Sequence, residues 1–87
     1  MPSTALDIFT TQWCGSCVRL KAQLDRLGIA YREIDIEQDP AGAAFVMGVN
    51  GGNRTVPTVR FSDGSAATNP RAAEVIARQA AIADPVG

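Results

Sequence analysis

Two cysteines are the residues of this chain best suited to do chemistry. Cys14 and Cys17 are its only cysteines, and two residues separate them. A strand-like apolar run precedes them and a helix-like run follows, so the pair lies where a strand passes into the first turn of a helix. A Cys-x-x-Cys at such a junction is typical of a thiol–disulfide redox motif.

The expected position of Cys14 favours its thiolate form. N–H groups in the first turn of a helix have no partner inside the helix, and the helix dipole favours negative charge there. Thiols at such positions have pKa values between roughly 3.5 and 7.5, compared with about 8.5 for a free cysteine. Cys14 therefore needs no histidine as a base, and the chain contains none.

Helical spacing predicts that the two sulfurs differ in exposure. The apolar side chains that recur at this spacing are Cys17, Leu20, Leu24 and Leu27. Cys17 begins this apolar face and Cys14 lies beyond it. We therefore expect Cys14 to be the exposed, attacking thiol and Cys17 to be the shielded one.

Two other roles for the cysteine pair stay open at this point. A structural disulfide would close only a very short loop and would constrain the unfolded chain little. Structural zinc normally takes four Cys or His ligands, so a metal site would need ligands from outside this chain. An iron–sulfur cluster could be held by Cys14 of two chains together with two outside thiols.

Length and charge exclude several classes of protein. The chain has 87 residues, a net charge of −1 and 46% hydrophobic residues, which predicts one small globular domain spanning residues 1–87. We expect neither a nucleic-acid nor a membrane partner, because no basic excess and no membrane-length apolar run is present. The N-terminus lacks the features of a signal peptide, so we expect a cytoplasmic protein whose cysteines are mostly reduced.

Hydrophobic patterning predicts a parallel strand–helix–strand unit at the start. The first strand covers Ala5–Phe9, the helix Gly15–Leu27 and the second strand Ala30–Ile36. Asp7 is unexpected in this strand, because a carboxylate in a central strand is costly unless it is paired or near an edge. The simplest expectation is that its side of the sheet is partly wet.

The remaining pattern predicts a helix, a hairpin and a last helix. Asp39-Pro40 begins the second helix, which ends at Asn50-Gly51-Gly52. Asp63-Gly64 predicts a two-residue hairpin between a strand around Thr58–Phe61 and one at Ser65–Thr68, and Asn69-Pro70 opens the last helix. The side chains expected to pack inward are Ala41, Ala44, Phe45 and Val49 in the second helix, and Ala73, Ile76, Ala77 and Ala80 in the last. The order βαβαββα predicts an α/β fold with a four-stranded mixed sheet and helices on both faces.

That order resembles the glutaredoxin and thioredoxin superfamily over about Ala5 to Ala80. The residues that carry the resemblance are Trp13-Cys14-Gly15-Ser16-Cys17 after the first strand and Val56-Pro57 before the third. It implies a thioredoxin-like fold in which the peptide bond before Pro57 is cis and faces the active-site cysteine. The N–H and C=O of Val56 would then be free to pair with a substrate as an added strand does.

Within this superfamily the chain is most similar to the actinobacterial mycoredoxins. The matching runs are Thr10–Cys17, Val49–Val59 and Thr68–Pro70, although Ser16 replaces an expected aromatic residue. Thioredoxins carry a buried Asp at the position of Ile8, and redoxins that serve ribonucleotide reductase carry a Trp-Ser-Gly-Phe-like stretch, which is missing here. Residues 63–70 also lack the paired acids with which glutaredoxins hold a carboxylate of glutathione.

The resemblance implies an enzyme that reduces protein–mycothiol mixed disulfides through Cys14 and Cys17. Mycothiol, a cysteine-capped sugar–inositol thiol, would be a co-substrate, and an NADPH-dependent mycothiol disulfide reductase would recycle it. The expected partners are therefore mycothiol, mycothiolated or disulfide-containing proteins, and this reductase. We expect the protein itself to be a monomer that binds no cofactor or metal. The alternative is a redoxin that thioredoxin reductase reduces directly and that donates electrons to ribonucleotide reductase or a peroxidase.

The resemblance also gives a set of substrate-binding residues. They are Trp13, Arg54, Thr55, Val56, Pro57 and Asn69. Two interpretations of Trp13 stay open, since it either packs beside the thiol ligand or shields Cys14 from one side. Arg54 either meets hydroxyls and carbonyls of the ligand or is a solvated loop charge.

Overall fold

The computed structural model describes residues 6–83, whose elements follow the predicted order βαβαββα. These elements are β1 (Asp7–Thr10), α1 (Gly15–Arg26), β2 (Arg32–Asp35), α2 (Pro40–Val49), β3 (Thr58–Arg60), β4 (Ala66–Thr68) and α3 (Ala72–Ala83). The strand order is β2-β1-β3-β4, with β1 parallel to β2 and antiparallel to β3, and β3 antiparallel to β4. The predicted mixed sheet is confirmed. Ala5, the predicted start of the first strand, lies outside the described residues.

Helices cover both faces of the sheet, as predicted. On one face, Leu6, Ile8, Val59 and Phe61 pack against α1 and α3, whose buried contacts are Leu20, Leu24, Ala72 and Val75. On the other face, Phe9 and Ile36 pack against Ala43 and Val46 of α2. β1 therefore contributes alternate side chains to two separate cores. None of the helices in the described part of the chain is long and apolar enough to cross a membrane.

Asp7 is buried in the central strand and is paired on both sides. Its exposed fraction is 6%, and its Cα partners on the neighbouring strands are Arg32 and Arg60. Arg32 Nε donates to Asp7 Oδ1 at 2.9 Å, and Arg60 donates to Oδ2 through Nε at 2.9 Å and Nη2 at 2.7 Å. The expected wet surface is wrong here, because two guanidinium groups compensate for the lost hydration of the carboxylate.

Arg60 also joins this ion pair to the aromatic core. Its guanidinium lies 5.1 Å from the ring centroid of Phe9 and 4.6 Å from that of Phe45, and the two rings stack at 5.1 Å. A cation over aromatic faces gains electrostatic attraction in addition to its ion pair. Phe45 thereby covers the Asp7 side of the sheet.

The predicted inward faces of α2 and α3 are wrong at several positions. In α2 the buried residues are Gly42, Ala43 and Val46, with Phe45 half-buried, whereas Ala41, Ala44 and Val49 are exposed. In α3 the buried residues are Ala72 and Val75, with Ile76 half-buried, whereas Ala73, Ala77 and Ala80 are exposed. Both helices are apolar around most of their circumference, so hydrophobic periodicity alone cannot select the buried face.

Three element ends also differ from the prediction. Leu27, assigned to the apolar face of the first helix, follows α1 as its C-cap and is 58% exposed. The hairpin loop has three residues, since the Phe61 N–H donates to the Ser65 carbonyl at 2.8 Å across residues 62–64. Asn69 does not cap α3, which begins at Ala72 and takes its first hydrogen bond from Val75 N–H to the Arg71 carbonyl at 3.0 Å.

Replacing Asp7 with Asn should destabilise the fold. The amide keeps the shape of the side chain but leaves two arginines without their anionic partner, which we expect to cost about 2–3 kcal/mol because both arginines are partly solvated. Urea unfolding monitored by circular dichroism measures this loss. Glu37→Gln is the matched control, since Glu37 is exposed and its side chain has no partner among residues 6–83. Equal stability of the two variants would contradict a structural role for the ion pairs.

Candidate active site

Cys14 is the N-cap residue of α1. Its backbone is extended, with φ −90° and ψ 106°, and its carbonyl accepts the first helical hydrogen bond from Val18 N–H at 3.1 Å. Its Sγ accepts a hydrogen bond from the Cys17 N–H at 3.1 Å. The sulfur thus takes the place of the oxygen of a capping side chain, and an unpartnered helix N–H points at it. Once the disulfide is reduced, this contact favours negative charge on the sulfur.

The two cysteines are joined as a disulfide and differ in exposure. Their Cα atoms are 5.2 Å apart. Cys14 is half-buried, whereas Cys17 is completely buried on the inner face of α1 together with Leu20 and Leu24. A thiol that reduces this disulfide therefore meets the sulfur of Cys14 first, and in the reduced protein Cys17 reaches that sulfur from inside.

The backbone of Val56 lies opposite Cys14. The Val56–Pro57 peptide bond is cis, which confirms the prediction for Pro57. The Val56 carbonyl oxygen is 3.8 Å from Cys14 Sγ. The Val56 N–H has no hydrogen-bond partner in the described part of the chain. A main-chain donor and acceptor are therefore available beside the sulfur for an extended substrate segment.

Asn50 connects α2 to the segment that contains Val56. The sequence predicted for Asn50 only that it ends the second helix. Its Nδ2 donates to the Val46 carbonyl at 2.8 Å and to Thr58 Oγ1 at 3.2 Å. Its Oδ1 accepts from Thr68 Oγ1 at 2.6 Å. Thr58 Oγ1 in turn donates to the Thr55 carbonyl at 2.8 Å. The network fixes the main chain immediately before Val56. The only feature of the sequence that pointed to it is an Asn at the end of a predicted helix.

The other predicted substrate-binding residues form no hydrogen bond with the cysteines within residues 6–83. Trp13 is 74% exposed, and Arg54 and Thr55 are exposed on the loop that leads to Pro57. Arg54 forms no ion pair within residues 6–83. Asn69 has a positive φ of 50°, and its N–H donates to the Pro57 carbonyl at 2.7 Å. Asn69 is therefore part of the Pro57 turn.

A cluster of charged and polar side chains stabilises the end of β1, which leads to Cys14. Glu33 Oε2 accepts hydrogen bonds from Lys21 Nζ at 2.6 Å and from Thr10 Oγ1 at 2.9 Å. The bond from Lys21 is the main reason why the pKa of Glu33 is lowered, and the bond from Thr10 lowers it further. The cluster joins β1, β2 and α1. Because the pKa of Glu33 is lowered, its carboxylate stays ionised further into the acidic range than that of a free glutamate.

The described residues offer no ready metal site. No group of three or more His, Cys, Asp and Glu side chains within residues 6–83 is arranged to hold a metal ion. What the site does combine is a disulfide at a helix start, one exposed and one buried sulfur, and free main-chain groups beside the exposed one. That combination suits thiol–disulfide exchange, in which access to the attacked sulfur and the stability of the thiolate control the rate.

Asn50→Asp should slow the reaction with disulfide substrates. The carboxylate keeps the shape of the side chain but cannot donate to Val46 and Thr58, so the main chain before Val56 loses its support. We expect kcat/KM for a mixed disulfide to fall about five- to tenfold. Alkylation of reduced Cys14 by iodoacetamide, which does not use Val56, should not change.

Asn53→Asp is the control for Asn50→Asp. Asn53 lies on the same loop, is exposed, and uses only its backbone for hydrogen bonding within the described residues. The variant adds the same charge without breaking the network. Equal losses of kcat/KM in both variants would contradict a positioning role for Asn50.

The lowered pKa of Glu33 predicts an acid-dependent loss of stability. A carboxylate with a lower pKa in the folded state contributes stability that is fully present above its ordinary pKa of 4.5 and disappears as the pH falls through the folded-state pKa. Comparing urea midpoints between pH 7 and pH 3 tests this. The urea midpoint of Glu33→Gln should fall less steeply with decreasing pH than that of the parent chain. Parallel plots of urea midpoint against pH would contradict a contribution of Glu33 to stability.

Comparison with known proteins identifies the family. The Glutaredoxin family model matches residues 6–65. The chain is 59% identical over 83 residues to a protein of Mycobacterium tuberculosis provisionally named a glutaredoxin, covering 95% of this chain and 99% of that one. It is 53% identical over 76 residues to Mycoredoxin 1 of Corynebacterium glutamicum, covering 87% of this chain and 94% of that one.

Solved structures show the same fold. A buckwheat glutaredoxin–glutathione complex superposes with a TM-score of 0.61 and 33% identity, covering 77% of this chain and 62% of that one. The thioredoxin-like protein BC3987 superposes with a TM-score of 0.67 and 24% identity, covering 85% of this chain and 97% of that one, which is evidence for the fold alone. With its Cys14–Cys17 pair at the start of α1, the chain belongs to the glutaredoxin family and is a thiol–disulfide oxidoreductase.

Proposed function

We propose that this chain reduces mixed disulfides between proteins and mycothiol. The observation that carries the proposal is its 53% identity to Mycoredoxin 1 over 94% of that protein. Resemblance to mycoredoxins implies mycothiol as the co-substrate, and the same resemblance was visible in the active-site and Pro57 segments. Reduction would then proceed through the exposed sulfur of Cys14.

The residues near Cys14 differ from those of a typical glutathione site. Residues 65–73, which form β4 and the start of α3, contain no acidic residue, so the paired acids of a glutathione-type clamp are missing. The exposed groups near the Pro57 turn are Arg54, Thr55 and Asn69. Their side chains can hydrogen-bond the hydroxyl and amide groups of a sugar–inositol thiol. The exposed indole of Trp13 provides an apolar surface for the part of the ligand next to its sulfur.

The proposed reaction has two exchange steps. The Cys14 thiolate attacks the mycothiol sulfur of the mixed disulfide, a Cys14–mycothiol bond forms, and the client protein leaves as a thiolate that takes up a proton. The thiolate of a second mycothiol then attacks the mycothiol sulfur bound to Cys14. Mycothiol disulfide leaves, and Cys14 returns as a thiolate held by the Cys17 N–H.

Cys17 provides a second route. Its thiolate attacks Cys14 Sγ, the bound mycothiol leaves as a thiolate, and the Cys14–Cys17 disulfide forms. Because Cys17 is buried, this attack comes from within the protein and requires no second substrate. Two mycothiol molecules then reduce the disulfide in successive exchanges and leave as mycothiol disulfide, which an NADPH-dependent reductase recycles. The proposal includes a cytoplasmic monomer that binds no cofactor of its own.

The two cysteines should differ in their effect on activity. Cys14→Ser should abolish reduction of a mycothiolated client protein, because the attacking sulfur is lost. Cys17→Ser should retain a large part of it, roughly a third or more, because two mycothiol molecules complete the reaction without Cys17. Release of the client thiol, followed by mass spectrometry, measures both rates.

Ser16→Ala is the control for this pair. Ser16 is exposed between the cysteines and its side chain forms no hydrogen bond with residues 6–83, so the substitution changes the segment without removing a sulfur. Activity of Cys14→Ser equal to that of Ser16→Ala would contradict the assignment of Cys14. Complete loss in Cys17→Ser would show that the two-mycothiol route is wrong.

A further inference from the structure

A groove runs along the surface between α1 and the start of α3. Its volume is about 510 Å³. Its floor is apolar and includes Leu20 and Ala72, which are 3% and 8% exposed. Its walls are polar and include Arg19, Gln23 and Arg71. A short stretch of extended chain or a small molecule fits a groove of this volume.

The groove opens beside the reactive sulfur. One wall begins at Ser16, two residues after Cys14, and the opposite wall begins at Asn69. The Asn69 N–H is hydrogen-bonded to the Pro57 carbonyl, so this wall continues directly from the segment that contains Val56. The reactive sulfur and the groove therefore both adjoin the segment that contains Val56 and Pro57.

The charge of the groove is positive. Arg19 and Arg71 are both exposed, form no ion pair within the described residues, and face no acidic residue among those that line the groove. Three other basic residues form ion pairs within the described part of the chain. Lys21 pairs with Glu33, and the Asp7 carboxylate takes the two arginines of β2 and β3.

We propose that this groove receives the segment of a disulfide-bearing partner that flanks its reacting cysteine, and that it selects segments rich in Asp and Glu. A guanidinium group binds a carboxylate through two parallel hydrogen bonds, and the apolar floor accommodates the backbone and the methylene groups of the segment. Two exposed arginines also attract an acidic segment before contact. The inference rests on the proposed function only in that Cys14 attacks a disulfide, and it is independent of mycothiol.

Two activated peptides test the proposal. Both carry one cysteine as its 2-pyridyl disulfide, flanked in one peptide by Asp and Glu and in the other by Asn and Gln. Cys14 attacks the peptide sulfur, and pyridine-2-thione leaves with the electron pair and takes up a proton, which stopped-flow absorbance follows. At low ionic strength the reduced protein should react about three- to tenfold faster with the acidic peptide, and about 0.5 M salt should reduce this preference.

The Arg19→Gln, Arg71→Gln double variant should bring the rate with the acidic peptide close to that with the amide peptide. Arg26→Gln is the matched control, because Arg26 is an exposed arginine in the last turn of α1 and does not line the groove. It should keep the preference. Equal rates for both peptides with the parent chain, or an equal loss of preference in the control, would overturn the proposal. Failure of both peptides to react would overturn the assignment of Cys14 itself.

Discussion

The sulfur of Cys14 lies next to two main-chain groups that define the site. It occupies the capping position of α1, where it accepts the Cys17 N–H at 3.1 Å, and it lies 3.8 Å from the Val56 carbonyl oxygen. The first contact stabilises a thiolate by completing a helix start. The second places the thiolate beside a main-chain segment on which a substrate can align. Thiol chemistry at this site depends on β1, α1 and the Pro57 turn being held in fixed relative positions.

The interior of the protein supplies that fixed geometry through polar links as well as apolar packing. Asp7 joins the three strands that support the site, since β1 carries the carboxylate and its neighbours carry the two arginines. Glu33 ties the end of β1 to α1, and Asn50 ties α2 to the turn before Val56. Each of these polar contacts fixes the position of a different element around Cys14. The reactive sulfur therefore sits on a rigid support although its surroundings are open to solvent.

Local signals predicted the fold and the core of the site well. The junction of strand and helix at the Cys-x-x-Cys and the Asp-Pro start of α2 follow from local sequence signals, and both were confirmed. The buried faces of α2 and α3 were wrong because apolar residues surround both helices. The surroundings of Asp7 and the Asn50 network join residues far apart in sequence, so they follow from strand order and register, which patterning does not specify.

Identifying the electron source that supports turnover is the most direct test of the proposed function. The rate of NADPH-coupled reduction of one mixed disulfide should be measured with three electron sources. These are mycothiol with its reductase, glutathione with its reductase, and thioredoxin reductase alone. We expect turnover with mycothiol and little or none with the other two, because residues 65–73 lack an acidic clamp for glutathione and the chain is 53% identical to Mycoredoxin 1. Turnover with thioredoxin reductase alone would contradict the proposal and would make the protein a directly reduced redoxin.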